Sequence, residues 1–157
     1  MNNEQQTLIT ELEKLLRGGS AHVGFEEAVS DLPEALLGEK PENLPYSIWQ
    51  LVEHIRIAQA DMLDFSRNAD YKPLNWPDDY WPKEAAPENG AAFESSVQAV
   101  QADLEAFIRL LHEGDLYKPF AHGEGQTLLR EALQLADHTA YHVAEIVVIR
   151  RLLDVWH

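Results

Sequence analysis

Apolar residues recur at helical spacing along four stretches of the chain, and this periodicity constrains the fold more strongly than any other feature. The most regular stretch places them at alternating steps of four and three, the pattern of a helix with one buried seam: Phe93, Val97, Val100, Leu104, Phe107 and Leu111. Three further stretches run from Thr7 to Arg17, from Ser47 to about Asn68 and from Thr127 to about Asp154. No stretch shows sustained alternation of apolar and polar residues, so the sequence predicts an all-α protein built as a four-helix bundle.

Residues at the ends of these stretches indicate where the helices begin and end. Ser47 and Gln50 stand three residues apart just after Pro45, which predicts a capping box at the start of the second helix. Thr127 is expected to be the N-cap of the fourth helix. Gly114 follows the third stretch and is expected to end it.

The connections between the predicted helices are long for a bundle. Residues 18–46 separate the first two helices, and the next two connections have roughly 22 and 14 residues, against about 2–8 in simple bundles. Segment 70–89 holds four of the eight prolines together with several aromatic residues, which must pack against the rest of the protein. We therefore expect a single domain over residues 1–157, a four-helix bundle with long crossover connections.

The composition excludes several classes of protein. The chain has 12 Lys and Arg residues against 27 Asp and Glu residues, a formal charge of −15, which disfavours binding to a nucleic-acid backbone. It contains no cysteine, so it offers neither a disulfide scaffold nor a nucleophilic thiol of its own. The beginning of the chain, MNNEQQTLITELEKLL, lacks the pattern of a signal peptide, and no apolar run is long enough to span a membrane. We expect a cytoplasmic protein that binds neither nucleic acid nor membrane.

Two histidines four residues apart form the first candidate site. In the predicted fourth helix, His138 and His142 lie one turn apart on one face, beside the apolar stripe that faces the bundle. This spacing allows a single divalent ion to take one nitrogen from each ring. The same spacing also fits two partly buried histidines that hydrogen-bond across helices.

A third histidine, His54, lies on the flank of the apolar face of the second helix. If the two helices pack together, His54 could converge with the pair, and three histidines with open positions for water or substrate are typical of a catalytic metal site. The residues between His138 and His142 lack the glutamate of HExxH proteases. Glu145 lies on the same helix face and is the candidate general base, or else an acceptor that orients a ligand.

Three segments carry a recognisable pattern: WQLVEHIRIAQ at 49–59, NWPDDYWP at 75–82 and DHTAYHVAEIVVIRRLL at 137–153. Together they resemble the DinB-like family, and the resemblance covers nearly the whole chain. It implies a four-helix bundle in which His54, His138 and His142 bind a divalent metal, namely nickel, zinc or manganese. For some members it also implies an external low-molecular-weight thiol as cosubstrate.

Four further residues are candidates for the substrate pocket. His22 lies in the first long connection, where it either approaches the metal or stays at the surface. Trp76, Tyr80 and Trp81 either line the pocket or close an apolar end of the bundle. The remaining histidines are expected outside the site: His112, His122 and His157.

The sequence therefore predicts a small metal-dependent enzyme with a small-molecule substrate. Its reaction is either hydrolysis, with a water of lowered pKa, or transfer to an external thiol. The alternative is a non-catalytic bundle that binds metal as a sensor or scaffold. DNA binding, which the family name alone suggests, is the weakest interpretation because of the charge. A homodimer is a further expectation that follows from the resemblance.

Overall fold

The computed structural model describes residues 3–156, which form five α-helices and one short 3-10 helix. The α-helices are α1 (Asn3–Leu16), α2 (Phe25–Val29), α3 (Ile48–Arg67), α4 (Gly90–Glu113) and α5 (Leu128–Leu152), with the 3-10 helix at Glu34–Leu36. No strand occurs among these residues, and the predicted all-α fold is confirmed. None of the helices described in residues 3–156 combines the length and apolar character needed to cross a membrane.

Helices α3 and α5 begin, and α4 ends, at the predicted capping residues. At the start of α3, the Ser47 side chain accepts from the backbone N–H of Gln50 at 3.2 Å, and the Gln50 side chain accepts in return from Ser47 N–H at 3.3 Å. At the start of α5, the Thr127 hydroxyl accepts from the N–H of Arg130 at 3.2 Å. Gly114 follows the last residue of α4. Local sequence signals therefore set the limits of these helices.

The four long helices pack as a bundle with crossed connections. Helix α3 packs against α4 and α5, and α1 packs against the same two helices. Helices α1 and α3 thus lie at opposite corners, as do α4 and α5. The chain between α1 and α3 and the chain between α4 and α5 both cross from one corner to the opposite one, which explains why these connections are long.

The core divides into two apolar clusters along the bundle axis. The first cluster joins α1 to the second halves of α3 and α4 and the first half of α5, and includes Leu12, Leu63, Phe107 and Leu135. The second cluster joins α2 to the opposite halves of the same helices, and includes Val52, Ile55, Val100 and Ile146. Along α3 the clusters meet between Ile55 and Ala58, and along α5 they meet between Ala136 and Val143. The three candidate metal-binding histidines lie at this boundary.

Two features differ from the predicted pattern. Helix α1 begins at Asn3 rather than Thr7, because its first turn is polar and carries no apolar periodicity. Helix α2, which was not predicted, has only five residues, too few for a periodic signal. Its end is held by Arg150, a side chain of 6% exposure, whose Nη1 donates to the carbonyls of Ala28 at 2.8 Å and Ser30 at 2.9 Å. Tertiary contacts thus stabilise a helix too short to be stable alone.

Candidate metal centre

Three histidines from α3 and α5 meet at the boundary between the apolar clusters. One ligand nitrogen from each of His54, His138 and His142 lies within 4.8 Å of the other two. His54 is 2% exposed and His142 is 6% exposed, while His138 is partly buried. Within residues 3–156, no other group of three or more His, Asp or Glu side chains is arranged to hold an ion. The structure thus brings together the three histidines nominated from the sequence.

The ring of His54 is held by the segment that follows α3. Its Nδ1 lies 2.8 Å from the carbonyl oxygen of Tyr80. Because a carbonyl oxygen only accepts, Nδ1 carries the proton and Nε2 keeps its lone pair. The indole of Trp81 stacks on the imidazole, with ring centroids 3.8 Å apart and an interplanar angle of 3°, and Tyr46 stacks on the same indole at 4.0 Å. These contacts set both the tautomer and the orientation of His54.

The ring of His142 is held by a carboxylate one turn further along α5. Its Nδ1 lies 2.6 Å from Oε2 of Glu145. The carboxylate accepts a hydrogen bond from Nδ1–H, so the Nε2 of His142 also keeps its lone pair. An acceptor behind a histidine ligand fixes its tautomer and raises its basicity. Glu145 therefore contacts His142 as a hydrogen-bond acceptor, and its role as a general base stays a prediction.

The ring of His138 faces the ring of His54. Their Nε2 atoms are 3.0 Å apart. Two lone pairs do not face one another at this distance without a proton or a cation between them. With a proton there, His138 donates from Nε2, and its buried Nδ1 has no hydrogen-bond partner within residues 3–156. Such an unsatisfied atom costs about 1–3 kcal/mol. His138 is thus the member of the cluster for which the described chain supplies no acceptor to fix the ring.

Burial keeps the three imidazoles neutral. Desolvation, with repulsion from the neighbouring rings, lowers the pKa of His138 and that of His142 to about 4. Desolvation also lowers the pKa of His54, against the opposing effect of the Tyr80 carbonyl. All three rings are uncharged at pH 7, which is the form that binds metal ions. Burial raises the pKa of Glu145, and the nearby His54 partly opposes that rise.

The donor set fits a divalent transition metal. Imidazole suits nickel and zinc among the first-row ions. Two nitrogens that each lie about 2.0–2.1 Å from one ion, at an angle between 90° and the tetrahedral value, are roughly 2.8–3.4 Å apart. The 3.0 Å between the Nε2 atoms of His54 and His138 falls in that range. The hydrogen bonds at Nδ1 leave the Nε2 of His54 and of His142 available for coordination.

Of the three aromatic residues predicted for the pocket, two touch the cluster. Trp81 stacks on His54, and the backbone carbonyl of Tyr80 accepts a hydrogen bond from His54. Trp76 is 71% exposed, and its ring lies 5.4 Å from that of Tyr80, without contacting any of the three histidine rings among the described residues. Segment 70–89 thus covers the site with its second half and leaves Trp76 at the surface.

The structure does not bring His22 to the three histidines. Its exposed ring lies with Nδ1 2.8 Å from the carbonyl of Val23. Gly18, at φ +104°, lets the chain turn so closely that a Cβ there would lie 2.7 Å from the Cα of Gly24. His22 is at the tip of this turn, on the rim of a separate cavity of about 360 Å³, whose floor includes Leu104, Leu135 and Val143.

The remaining histidines stand elsewhere. His112 is exposed, with Nε2 3.3 Å from a carboxylate oxygen of Glu13. His122 is exposed as well, with Nε2 2.9 Å from the carbonyl oxygen of Phe65. His157 lies outside the described residues.

One group near the site was missed by the sequence analysis. The carboxylate of Asp61 accepts hydrogen bonds from the hydroxyls of Tyr71 at 2.9 Å and Tyr80 at 2.7 Å. Burial, together with Asp61, raises the pKa of Tyr71 to about 12 and raises that of Tyr80 as well. Both hydroxyls are therefore donors at neutral pH. The available signal was the seven-residue spacing from His54, which puts Asp61 on the same face of α3 two turns later.

Comparison with known proteins adds one finding. The sequence profile of the DinB superfamily matches residues 21–146, which is more than half of the chain and includes the three histidines. No curated protein and no solved structure gives a match.

Proposed function

The chain belongs to the DinB superfamily, and on that premise we propose that it is a small metal-dependent enzyme. In this proposal His54, His138 and His142 hold one divalent ion, which is nickel, zinc or manganese. The reaction is either hydrolysis of a small molecule or transfer of a group to an external low-molecular-weight thiol.

The observation that carries the proposal is the number of donors in the cluster. It contains three histidines and no fourth ligand among the described residues. Glu145 bonds the Nδ1 of His142, and His22 lies on a separate cavity, so neither completes a closed shell. Three protein ligands with a position left for water or substrate are typical of catalytic sites, whereas structural sites use four.

The surrounding residues prepare the site for such chemistry. A bound divalent ion supplies positive charge that lowers the pKa of a water or a thiol and so yields a nucleophile at neutral pH. The three neutral imidazoles leave that charge undiminished, and burial strengthens its effect. Glu145 orients His142 through the hydrogen bond at Nδ1. We propose in addition, from its position in the sequence, that Glu145 accepts the proton that the nucleophile loses. Since the chain has no cysteine, the thiol in a transfer reaction has to come from outside the protein.

A non-catalytic role in metal sensing or scaffolding is the second candidate. The depth of the cluster favours it, because two of the histidines are almost fully buried and Trp81 covers the face of His54. A substrate needs access that these contacts restrict. Exchange of a bound water, measured by NMR relaxation on manganese-loaded protein, separates the two candidates. Rapid exchange supports the enzyme, and no exchangeable water supports the sensor or scaffold.

The first experiment is elemental analysis of untagged protein after incubation with nickel, zinc and manganese. Wild type is compared with His138→Ala and with the control His112→Ala, whose exposed ring is bonded to Glu13. We expect about one ion per chain in wild type and control and none in His138→Ala. Absence of metal from wild type, or its retention in His138→Ala, would refute the three-histidine site.

Activity is tested next on the loaded protein. Hydrolytic substrates are screened without thiol, and electrophilic substrates are screened with added low-molecular-weight thiols. Activity should disappear in His54→Ala while the helical circular dichroism is retained. Full activity in that variant would overturn the proposal.

We also propose that the protein acts in the cytoplasm and as a homodimer. A stripe of exposed apolar side chains on α5 supports the dimer: Tyr141, Val148 and Leu152. Light scattering after size-exclusion chromatography tests this, and a monomeric mass at working concentration would refute it.

A further inference from the structure

We infer that Asp61 positions the metal ligand His54, and that it acts through Tyr80. Within residues 3–156, Asp61 makes no hydrogen bond to His54 or to either of the other two histidines. The inference rests on the proposed function, because it assigns His54 as a ligand.

Tyr80 connects the two residues from opposite ends. Its hydroxyl donates to Oδ2 of Asp61 at 2.7 Å, and its backbone carbonyl accepts from Nδ1 of His54 at 2.8 Å. The two partners are seven residues apart on α3, which places them on one face and roughly 10 Å apart along the helix axis. Tyr80 therefore lies along α3, and both its hydroxyl and its backbone carbonyl are hydrogen-bonded to side chains of that helix.

Asp61 is itself held in place by a second tyrosine. The hydroxyl of Tyr71 donates to its other oxygen, Oδ1, at 2.9 Å. The carboxylate is thus fixed on both sides, and hydrogen bonds to an ionised acceptor are among the stronger ones in proteins. Like Tyr80, Tyr71 donates a hydrogen bond from its hydroxyl to Asp61. In the described part of the chain, however, the backbone carbonyl of Tyr71 accepts no hydrogen bond from any of the three histidines. This difference makes Tyr71 a matched control.

The position of Tyr80 determines two contacts of His54. The first is the carbonyl that holds the proton on Nδ1 and leaves Nε2 free. The second is the stacked indole of Trp81, the next residue in the chain. If the Tyr80 hydroxyl is removed, the side chain of Tyr80 is no longer held by Asp61, and its backbone carbonyl is less firmly placed against His54. The ring of His54 then populates the tautomer protonated at Nε2 to a larger extent. That tautomer cannot coordinate an ion through Nε2.

Other contacts keep the segment attached when the hydroxyl is lost. The side chain of Gln50 donates to the carbonyl of Pro82, and the hydroxyl of Ser47 donates to the carbonyl of Ala85. The variants Tyr80→Phe and Tyr71→Phe are therefore expected to fold. Each retains its ring and loses one hydroxyl bonded to the same carboxylate.

The first test is the zinc dissociation constant, measured by competition with a chromophoric chelator. We expect about tenfold weaker binding in Tyr80→Phe, at the low end of the effect of removing a group that orients a ligand, and less than about threefold in Tyr71→Phe. The thermal midpoints of the two metal-free variants should fall by similar amounts. Equal weakening of zinc binding in both variants would overturn the inference, because the effect would then not depend on the carbonyl through which Tyr80 contacts His54.

The second test does not require metal. Nitrogen-15 shifts of the histidine rings report which nitrogen is protonated in chelator-treated protein. His54 should be protonated at Nδ1 in wild type and Tyr71→Phe, and should show a larger Nε2-protonated fraction in Tyr80→Phe. An unchanged tautomer in Tyr80→Phe would overturn the inference even if the wild type binds zinc. Conversely, wild type that binds none of zinc, nickel and manganese refutes the proposed function, while the tautomer shift still decides the role of Asp61.

Discussion

The hydrogen bond between His142 and Glu145 yields the most direct prediction about the metal site. The substitution Glu145→Gln keeps the shape of the side chain and one acceptor oxygen for the Nδ1 proton of His142. It removes the negative charge from a bond that is 2.6 Å long. The zinc affinity should fall, because an acceptor without charge makes the imidazole a less basic ligand.

The size of the effect follows from the bond and its surroundings. A hydrogen bond to a charged group contributes about 1.5–3 kcal/mol and a neutral one about 0.5–1.5 kcal/mol. The Glu145 side chain is 35% exposed, so solvent screening reduces the difference to about 1 kcal/mol. That corresponds to roughly fivefold weaker zinc binding. Glu145→Ala, which removes the acceptor altogether, should weaken binding by about 10–100-fold.

The assay is a competition titration with a zinc chelator. The control is Glu94→Gln, which makes the same chemical change at an exposed position on α4 and should leave the dissociation constant unchanged. An unchanged constant in both Glu145 variants would refute the reasoning. Once a substrate is known, the same variants separate the two roles predicted for Glu145. If Glu145 is a general base, its substitution lowers kcat and leaves the metal affinity unaltered. If Glu145 is an orienting acceptor, its substitution lowers the metal affinity.

Three further predictions concern stability and titration. Arg150→Met should destabilise the protein by about 3 kcal/mol in urea unfolding, because it leaves the carbonyls of Ala28 and Ser30 at the end of α2 without donors. Exposed Arg151→Met should cost less than about 0.5 kcal/mol, and similar losses in the two variants would contradict the role given to Arg150. Absorbance at 295 nm should show a titration near pH 12 that Tyr71→Phe lacks and that moves down in Asp61→Asn. Since folding raises this pKa above the ordinary value of about 10, the stabilisation is complete below pH 10 and is lost as the pH rises towards 12. If the component that Tyr71→Phe removes has its midpoint near 10 in wild type, the hydrogen bond to Asp61 does not perturb Tyr71 and the reasoning is refuted. Removing the ion from wild type held at 100 times its dissociation constant should lower the free energy of unfolding by about 2.7 kcal/mol, and a chelator should change nothing in His138→Ala.

Much of the fold was predictable because its signals are local. The apolar seam from Phe93 to Leu111 lies within one helix, and the capping box of Ser47 and Gln50 spans a single turn. Side chains three or four residues apart meet whenever the backbone is helical, so such patterns need no knowledge of the partner element. The same reasoning explains why the spacing of His138 and His142 is enough to pair them.

Other parts of the site depended on contacts between elements. His54 joins the pair because α3 packs beside α5, and the flank position in the sequence indicated this only in outline. The acceptor of its Nδ1 is the backbone carbonyl of Tyr80, and a carbonyl is present at every residue, so no residue type marks it. His22 looked equally suitable as a site residue, yet a turn at Gly18 places it on a different cavity.

The sequence by itself therefore determined the four long helices, the caps of α3 and α5, the pair of histidines on one face and the absence of a thiol. Tertiary structure alone decided the short α2 held by Arg150, the boundary between the two apolar clusters, and the chain of contacts from Asp61 through Tyr80 to His54. The physical reason is the sequence separation over which each kind of interaction acts. Helical periodicity and capping act over three or four residues, whereas these contacts join residues far apart in the chain, and they form only after the bundle has packed.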